Sequence, residues 1–236
     1  MTPEPSPLSA AKLRLTAGDR RSQLLAAAIQ IFAEQGFHGT PTRELAKRAG
    51  VSEALVFHHF PTKDALIRAI FDLIGFEDRI IELEKRFKNM PPRQSLLEIA
   101  TQFLTTQRED PGLIRVVFTG LIETPHLASE FYQKFLSRLL ALETRLFERA
   151  YAERRARGAV AASGKRTAGT RAPRSGKRAS ARGRAHPDAS VVARSFHGSL
   201  LFYNLAGPII GMEPVPEDAA GRAKAIVDIY LPEDQP

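Results

Sequence analysis

Between residues 19 and 157 apolar side chains recur every three to four positions, the period of helices that bury one face. The period is interrupted at Gly36, Gly39, Gly50, Pro61, Pro91–Pro92, Pro111 and Pro125, each a residue with a steric reason to end a helix. The first helix opens at Asp19 and the arginines after it, and Leu24, Ala28 and Phe32 form its buried stripe. Gly36 then stands where a left-handed cap is expected. Two short helices follow, Pro41–Ala49 and Glu53–Phe60, then a longer one from Lys63, and further helices near 93–109, 112–124 and 126–157. The period resumes from Asp188 to Leu205 through Val191, Val192, Phe196, Leu200 and Tyr203, and a last helix runs from Glu217 to Leu231, ahead of Pro232. No alternating Val/Ile/Thr run is long enough for a sheet. The pattern predicts an all-α protein.

Two stretches lack the period. Residues 1–18 are rich in Pro, Ser, Ala and Thr and are expected to be a disordered tail. Residues 158–185 are nearly all Gly, Ala, Ser, Thr, Pro, Lys and Arg, with a single Val, so they cannot bury enough apolar surface to offset their ordering entropy; a disordered insert is expected. The insert also explains the charge. The chain carries 34 Lys and Arg against 26 Asp and Glu, a net of +8, yet eleven of the basic residues fall within 154–184, where no acid occurs. Setting those eleven aside leaves 23 basic against 26 acidic residues, so the chain outside 154–184 is mildly acidic. With no cysteine, a disulfide scaffold, a thiolate metal site and a cysteine nucleophile are excluded. The longest apolar run, Ser199–Ile210, is too short to span a bilayer, and the amino terminus lacks a secretion signal, so a cytoplasmic protein without membrane partners is expected.

The informative stretch is TPTRELAKRAGVSEALVFHHFPTKDAL, residues 40–66. Thr40 is placed to cap the first short helix, with Pro41 at its first position, where a missing N–H costs nothing. Leu45 and Ala49 share its inner face, Gly50 supplies a turn, and Ser52 caps the second helix. There Val56 and Phe60 face the core, leaving Glu53, Ala54, Phe57 and His58 on the opposite side. Two short helices joined this tightly make a helix-turn-helix, whose second helix lies in the DNA major groove.

Residues from Asp19 to about Asp72 resemble the TetR family of transcriptional regulators, through LLAAAIQIFAEQGF (24–37), TRELAKRAGVS (42–52) and VFHHFPTKDAL (56–66). The resemblance implies a three-helix DNA-binding domain at 19–66 and a helical domain at 67–236 for ligand binding and dimerisation. By position, Thr42 and Arg43 would contact phosphate, with Arg43 able to reach a base edge. Glu53, Ala54 and Phe57 would face bases, Glu53 accepting from a cytosine amine, and His58, His59 and Lys63 would contact phosphates. The family usually has Tyr where this chain has Phe57, so a hydroxyl-to-phosphate bond is missing, although the ring can still pack on a thymine methyl or a sugar.

Other residues invite weaker readings. Side by side on a helix, His58 and His59 point about 100° apart and cannot chelate jointly. His126 and Glu130, four apart, read as a solvated surface pair, and His197 as a partly buried residue near a dimer seam. Phe103, Phe118, Phe131, Phe135 and Phe202 are candidates to line a ligand cavity. Gly198, Ser199, Ala206 and Gly207 would let helices approach closely at a homodimer interface. No GxSxG, GxGxxG, P-loop or HExxH pattern occurs, so no enzyme, cofactor or metal is expected. The expected function is a ligand-responsive, sequence-specific DNA-binding regulator, a repressor that binds a palindromic operator as a homodimer and answers to a small-molecule effector. The alternatives are a non-specific nucleic-acid-binding protein driven by the basic insert, and an enzyme that has kept a helix-turn-helix.

Overall fold

The computed structural model describes residues 20–109, 111–164, 187–210 and 218–233. Within them every regular element is helical: α1 (Arg20–Gln35), α2 (Thr42–Ala49), α3 (Glu53–His59), α4 (Lys63–Ile74), α5 (Phe76–Phe87), α6 (Pro92–Glu109), α7 (Pro111–Glu123), α8 (Pro125–Phe131), α9 (Ser137–Gly164), α10 (Ala189–Ile210) and α11 (Ala219–Tyr230). A π-helical segment, Tyr132–Leu136, joins α8 to α9. No described helix is long and apolar enough to cross a membrane.

The helix expected to run on from Lys63 is divided at Gly75. Its φ of 71° is left-handed, and its N–H closes onto the carbonyls of Phe71 and Asp72 at 3.3 and 3.1 Å. Apolar spacing continues from Ile74 to Phe76 across the break, which is why periodicity alone does not reveal it. At the other end, α11 begins at Ala219 because the Asp218 carboxylate accepts from the Gly221 N–H at 2.5 Å.

Two cores are buried. The first gathers Leu24, Ile31 and Phe32 of α1, Leu45, Val56 and the inner face of α4, and it is completed by Val116 and Val117 of α7 and Leu127 of α8. The second lies among α5, α6, α9, α10 and α11 around Phe87, Leu96, Phe147, Phe196 and Ile226. Phe76 and Phe131 touch both, their rings edge to face at 4.9 Å. The amino-terminal helices therefore do not close their own core; α7 and α8 are part of it.

Polar ties follow the same route. Glu123, at the end of α7, accepts from the His38 N–H at 2.6 Å. His126 and Glu130, expected to be a solvated surface pair, are solvent-accessible, and each also reaches α4. His126 Nε2 lies 3.6 Å from Asp64, and Arg68 grips both oxygens of Glu130, Nη2 to Oε1 at 3.0 Å. Their spacing of four lines them up along α8, and α4 happens to run beside that edge.

Helix α9 continues to Gly164, so 158–164, the first part of the expected insert, is helical. Alanine at 159, 161 and 162 has the highest helix propensity, and a run of it carries the helix past the last buried positions. The rest of the insert, from 165 on, and the expected tail at 1–18 lie outside the described residues.

Candidate functional site

The turn into α2 is built differently from the expected cap. Pro41 itself occupies the cap position in extended conformation, and its carbonyl accepts from Glu44 and Leu45 at 3.0 and 3.3 Å. Thr40 is buried, and its hydroxyl donates to the Gly36 carbonyl at 2.8 Å, fastening the turn to the end of α1. Leu45 and Ala46 are buried against the first core and Ala49 is half-buried. Gly50 has φ 65° and ψ 35°, and the Val51 N–H returns to the Ala46 carbonyl at 3.0 Å. Ser52 then caps α3, accepting from the Leu55 N–H at 3.2 Å.

Burial of Val56 and Phe60 fixes the roll of α3, leaving Ala54, Phe57 and His58 exposed; Phe57, a large apolar ring, is 44% exposed. Arg43 is exposed beside them at the start of α2. Thr42 is half-buried, and its hydroxyl donates to Glu53 Oε1 at 2.5 Å, joining the starts of the two helices. His59 is half-buried with its ring edge-on to that of His58. Lys63 differs from its expected place. Its ammonium donates to the His38 carbonyl at 3.3 Å and sits 4.7 Å from the centre of the Phe37 ring, and burial holds its pKa below the usual lysine range. It is turned onto the protein's own backbone, while Thr42, Arg43, Glu53 and Ala54 lie at the starts of the two helices and Phe57, His58 and His59 follow along α3.

A cavity of about 320 Å³ lies between α5, α6, α7, α8, the π-helical segment and α10. Phe103, Phe118, Phe131 and Phe135 line it, as the sequence suggests. Phe202 does not. Leu200 of α10 is buried, and a residue two further on points about 200° away, so Phe202 is 53% exposed on an outward stripe with Val191, Ser195 and Gly198. Leu201 takes the cavity position instead.

His197, expected near a dimer seam, is buried and forms part of the cavity wall, edge to face with Phe103 at 5.3 Å. Its Nδ1 lies 3.1 Å from Oε1 of Glu143, which is fully buried. The other oxygen, Oε2, has no hydrogen-bond partner among the described residues. Burial pushes the Glu143 carboxyl above the usual glutamate range, a shift that the His197 contact only partly offsets. A signal was present: Glu143 stands four residues after Leu139 and four before Phe147, in the middle of an apolar stripe.

These features define a helix-turn-helix protein whose amino-terminal helices share their core with a helical body that lines an apolar cavity. Residues 24–70 match the family model described as bacterial regulatory proteins, tetR family. Over this amino-terminal segment the chain is similar to the TetR family of transcriptional regulators. It is 29% identical over 143 residues to the HTH-type transcriptional repressor KstR2 of Rhodococcus jostii, a match that covers 61% of this chain and spans 60% of KstR2's own length. Among solved structures, a TetR-like transcriptional regulator from Rhodococcus sp. RHA1 superposes with a TM-score of 0.62 at 18% identity, covering 91% of this chain and 97% of that one. AibR, solved in complex with isovaleryl coenzyme A and operator DNA, superposes with a TM-score of 0.60 at 18% identity, over 91% and 99% of the two chains.

Proposed function

We propose that the protein is a ligand-responsive, sequence-specific DNA-binding regulator that represses transcription as a cytoplasmic homodimer on a near-palindromic operator. One observation carries this: α3 turns Ala54, Phe57 and His58 away from its buried face, beside an exposed Arg43 and a Glu53 anchored by Thr42. The exposed Phe57 ring on this face is of a kind that can pack on the thymine methyls of a major groove. In this assignment Glu53 accepts from a cytosine amine and Ala54 and Phe57 pack on thymine. Arg43, His58 and His59 meet phosphates, and Thr42 meets one through its backbone N–H, because its hydroxyl is engaged with Glu53. Lys63 joins them only by leaving His38.

The head, 19–66, would read DNA, and the rest of the chain would hold effector and dimer. The stripe of Val191, Ser195, Gly198 and Phe202 on α10, with the 75% exposed Ile229 of α11, supports an interface. Its apolar residues are exposed in one chain, and its small ones admit a second helix closely. A symmetric pair of α3 helices would read half-sites about 34–36 Å apart. AibR shows that a protein of this fold is compatible with operator DNA and a small molecule together, and the cavity here supports an apolar effector of its own.

Selection of bound oligonucleotides from a random pool, followed by mobility-shift competition, tests the proposal. The expected result is an inverted repeat preferred over bulk DNA by roughly a thousandfold or more at physiological salt. No enriched motif, with bulk DNA competing equally, would leave only a basic nucleic-acid-coating protein.

A further inference from the structure

We propose that the cavity selects an apolar molecule bearing one neutral carbonyl oxygen, which accepts a hydrogen bond from Nε2–H of His197, with Glu143 positioning the imidazole. The proposal rests on the cavity being the effector site. Its walls are mostly aromatic and aliphatic, so a polar atom placed against them without a partner is strongly disfavoured. His197, 4% exposed, stands on that wall, backed by the fully buried Glu143, whose Oε1 lies 3.1 Å from Nδ1 and so leaves Nε2 as the ring nitrogen not engaged by the carboxyl.

Proton bookkeeping sets the chemistry. When the pair carries one exchangeable proton more than its anionic form, two arrangements are available. A proton on Oε2 would be an unpaired donor in the interior, so either Glu143 is protonated on Oε1 and donates to Nδ1, or the carboxylate accepts from the imidazolium. In both, Nε2 carries a hydrogen and is a donor toward the cavity. The orphaned Oε2 of Glu143 favours this neutral state, because an unpartnered carboxylate oxygen is far costlier in an apolar interior than an uncharged one. A carbonyl therefore finds a donor and brings no charge. A carboxylate ligand would be a second acid beside Glu143. Arg79, on the same cavity wall, could favour an anion, but it already has a partner of its own.

The test uses the full chain and displacement of the neutral dye N-phenyl-1-naphthylamine by 2-nonanone, nonane and nonanoate. The parent is expected to bind 2-nonanone more tightly than nonanoate. The double variant Glu143→Leu, His197→Phe removes both polar partners together and so keeps the core apolar and folded. It should weaken 2-nonanone about tenfold and leave nonane unchanged. Glu143→Gln should retain ketone binding, since its amide N–H donates to Nδ1 and keeps the hydrogen on Nε2; loss there would remove Glu143 from its positioning role. Equal binding of 2-nonanone by parent and double variant, or tighter binding of nonanoate, overturns the proposal while leaving the cavity an effector site. Failure of the dye and all three probes to bind overturns both.

Discussion

The Thr42–Glu53 hydrogen bond lets two roles be tested apart: holding the helices of the helix-turn-helix together, and the base reading proposed for Glu53. It crosses from the first residue of α2 to the first of α3 at 2.5 Å, in a half-buried place. Thr42→Val keeps the branched shape and removes only the donor. A bond to a charged acceptor contributes up to about 3 kcal/mol when shielded and nearer 1 when water reaches it; here about 1 kcal/mol is expected. For a chain of this size that lowers Tm by roughly 2–4 °C. A double-mutant cycle with Glu53→Ala, read by urea denaturation, should return a coupling of about 1 kcal/mol. DNA binding should divide along the same line. Thr42→Val frees the carboxylate to sample other rotamers, so preference for cytosine at the contacted position drops several-fold. The salt slope stays, because the phosphate contact assigned to Thr42 uses its backbone. A coupling below about 0.3 kcal/mol would show that the bond does not join the helices. Unchanged cytosine preference in both Thr42→Val and Glu53→Ala would take Glu53 out of the reading set.

Gly50→Ala should cost about 1 kcal/mol through left-handed strain alone, since no atom lies within 4 Å of an added Cβ; Gly50→Asn should cost less, both measured by urea unfolding. Arg43→Ala should make the salt dependence of operator binding shallower by about one phosphate. Lys63→Ala, by contrast, should lower Tm and leave that slope alone, because its ammonium is held by the His38 carbonyl. Phe202→Glu should shift the sedimentation coefficient from dimer to monomer at micromolar concentration, with operator affinity falling in step.

The helix-turn-helix was legible because local chemistry builds it: one glycine turn, one serine cap, and a few apolar anchors, Leu45 in the first short helix and Val56 in the second with Phe60 just past its end. Four of the five candidate cavity aromatics were legible for a similar reason, since large rings on apolar stripes must meet somewhere inside a bundle. What escaped depends on partners distant in sequence. The Lys63 ammonium looks free until the carbonyl of His38, 25 residues away, is brought beneath it. His126 and Glu130 gain their partners on α4 only when that helix is laid alongside, and His197 gains meaning only once Glu143 arrives from another helix. Phe202 misled because composition says that an aromatic is available, while only the phase of α10, set by Phe196 and Leu200, says which way it faces.

The same long-range packing supplies a route by which an occupied cavity would reach the DNA. Helix α7 puts Val117 and Phe118 on the cavity wall, Val116 and Val117 into the head core, and Gly120 so close to α4 that an added Cβ would stand 3.1 Å from the Ile67 side chain. The α8 and π-helical stretch repeats the arrangement, with Phe131 and Phe135 on the cavity and Glu130 held by Arg68 of α4. A ligand that displaces either wall must move the helix that carries the head, because close-packed elements shift as units rather than deform. Moving such a pair of states from 1:99 to 99:1 takes about 5.5 kcal/mol of differential binding. At about 25 cal/mol per Å² that is the burial of roughly 220 Å² of apolar ligand surface, within reach of a medium-chain molecule. All of it counts only if the DNA-bound state cannot offer the same cavity, since a ligand accommodated equally by both states shifts nothing. The width of the space between α7 and the π-helical segment in the operator complex is therefore the quantity on which regulation by this cavity turns.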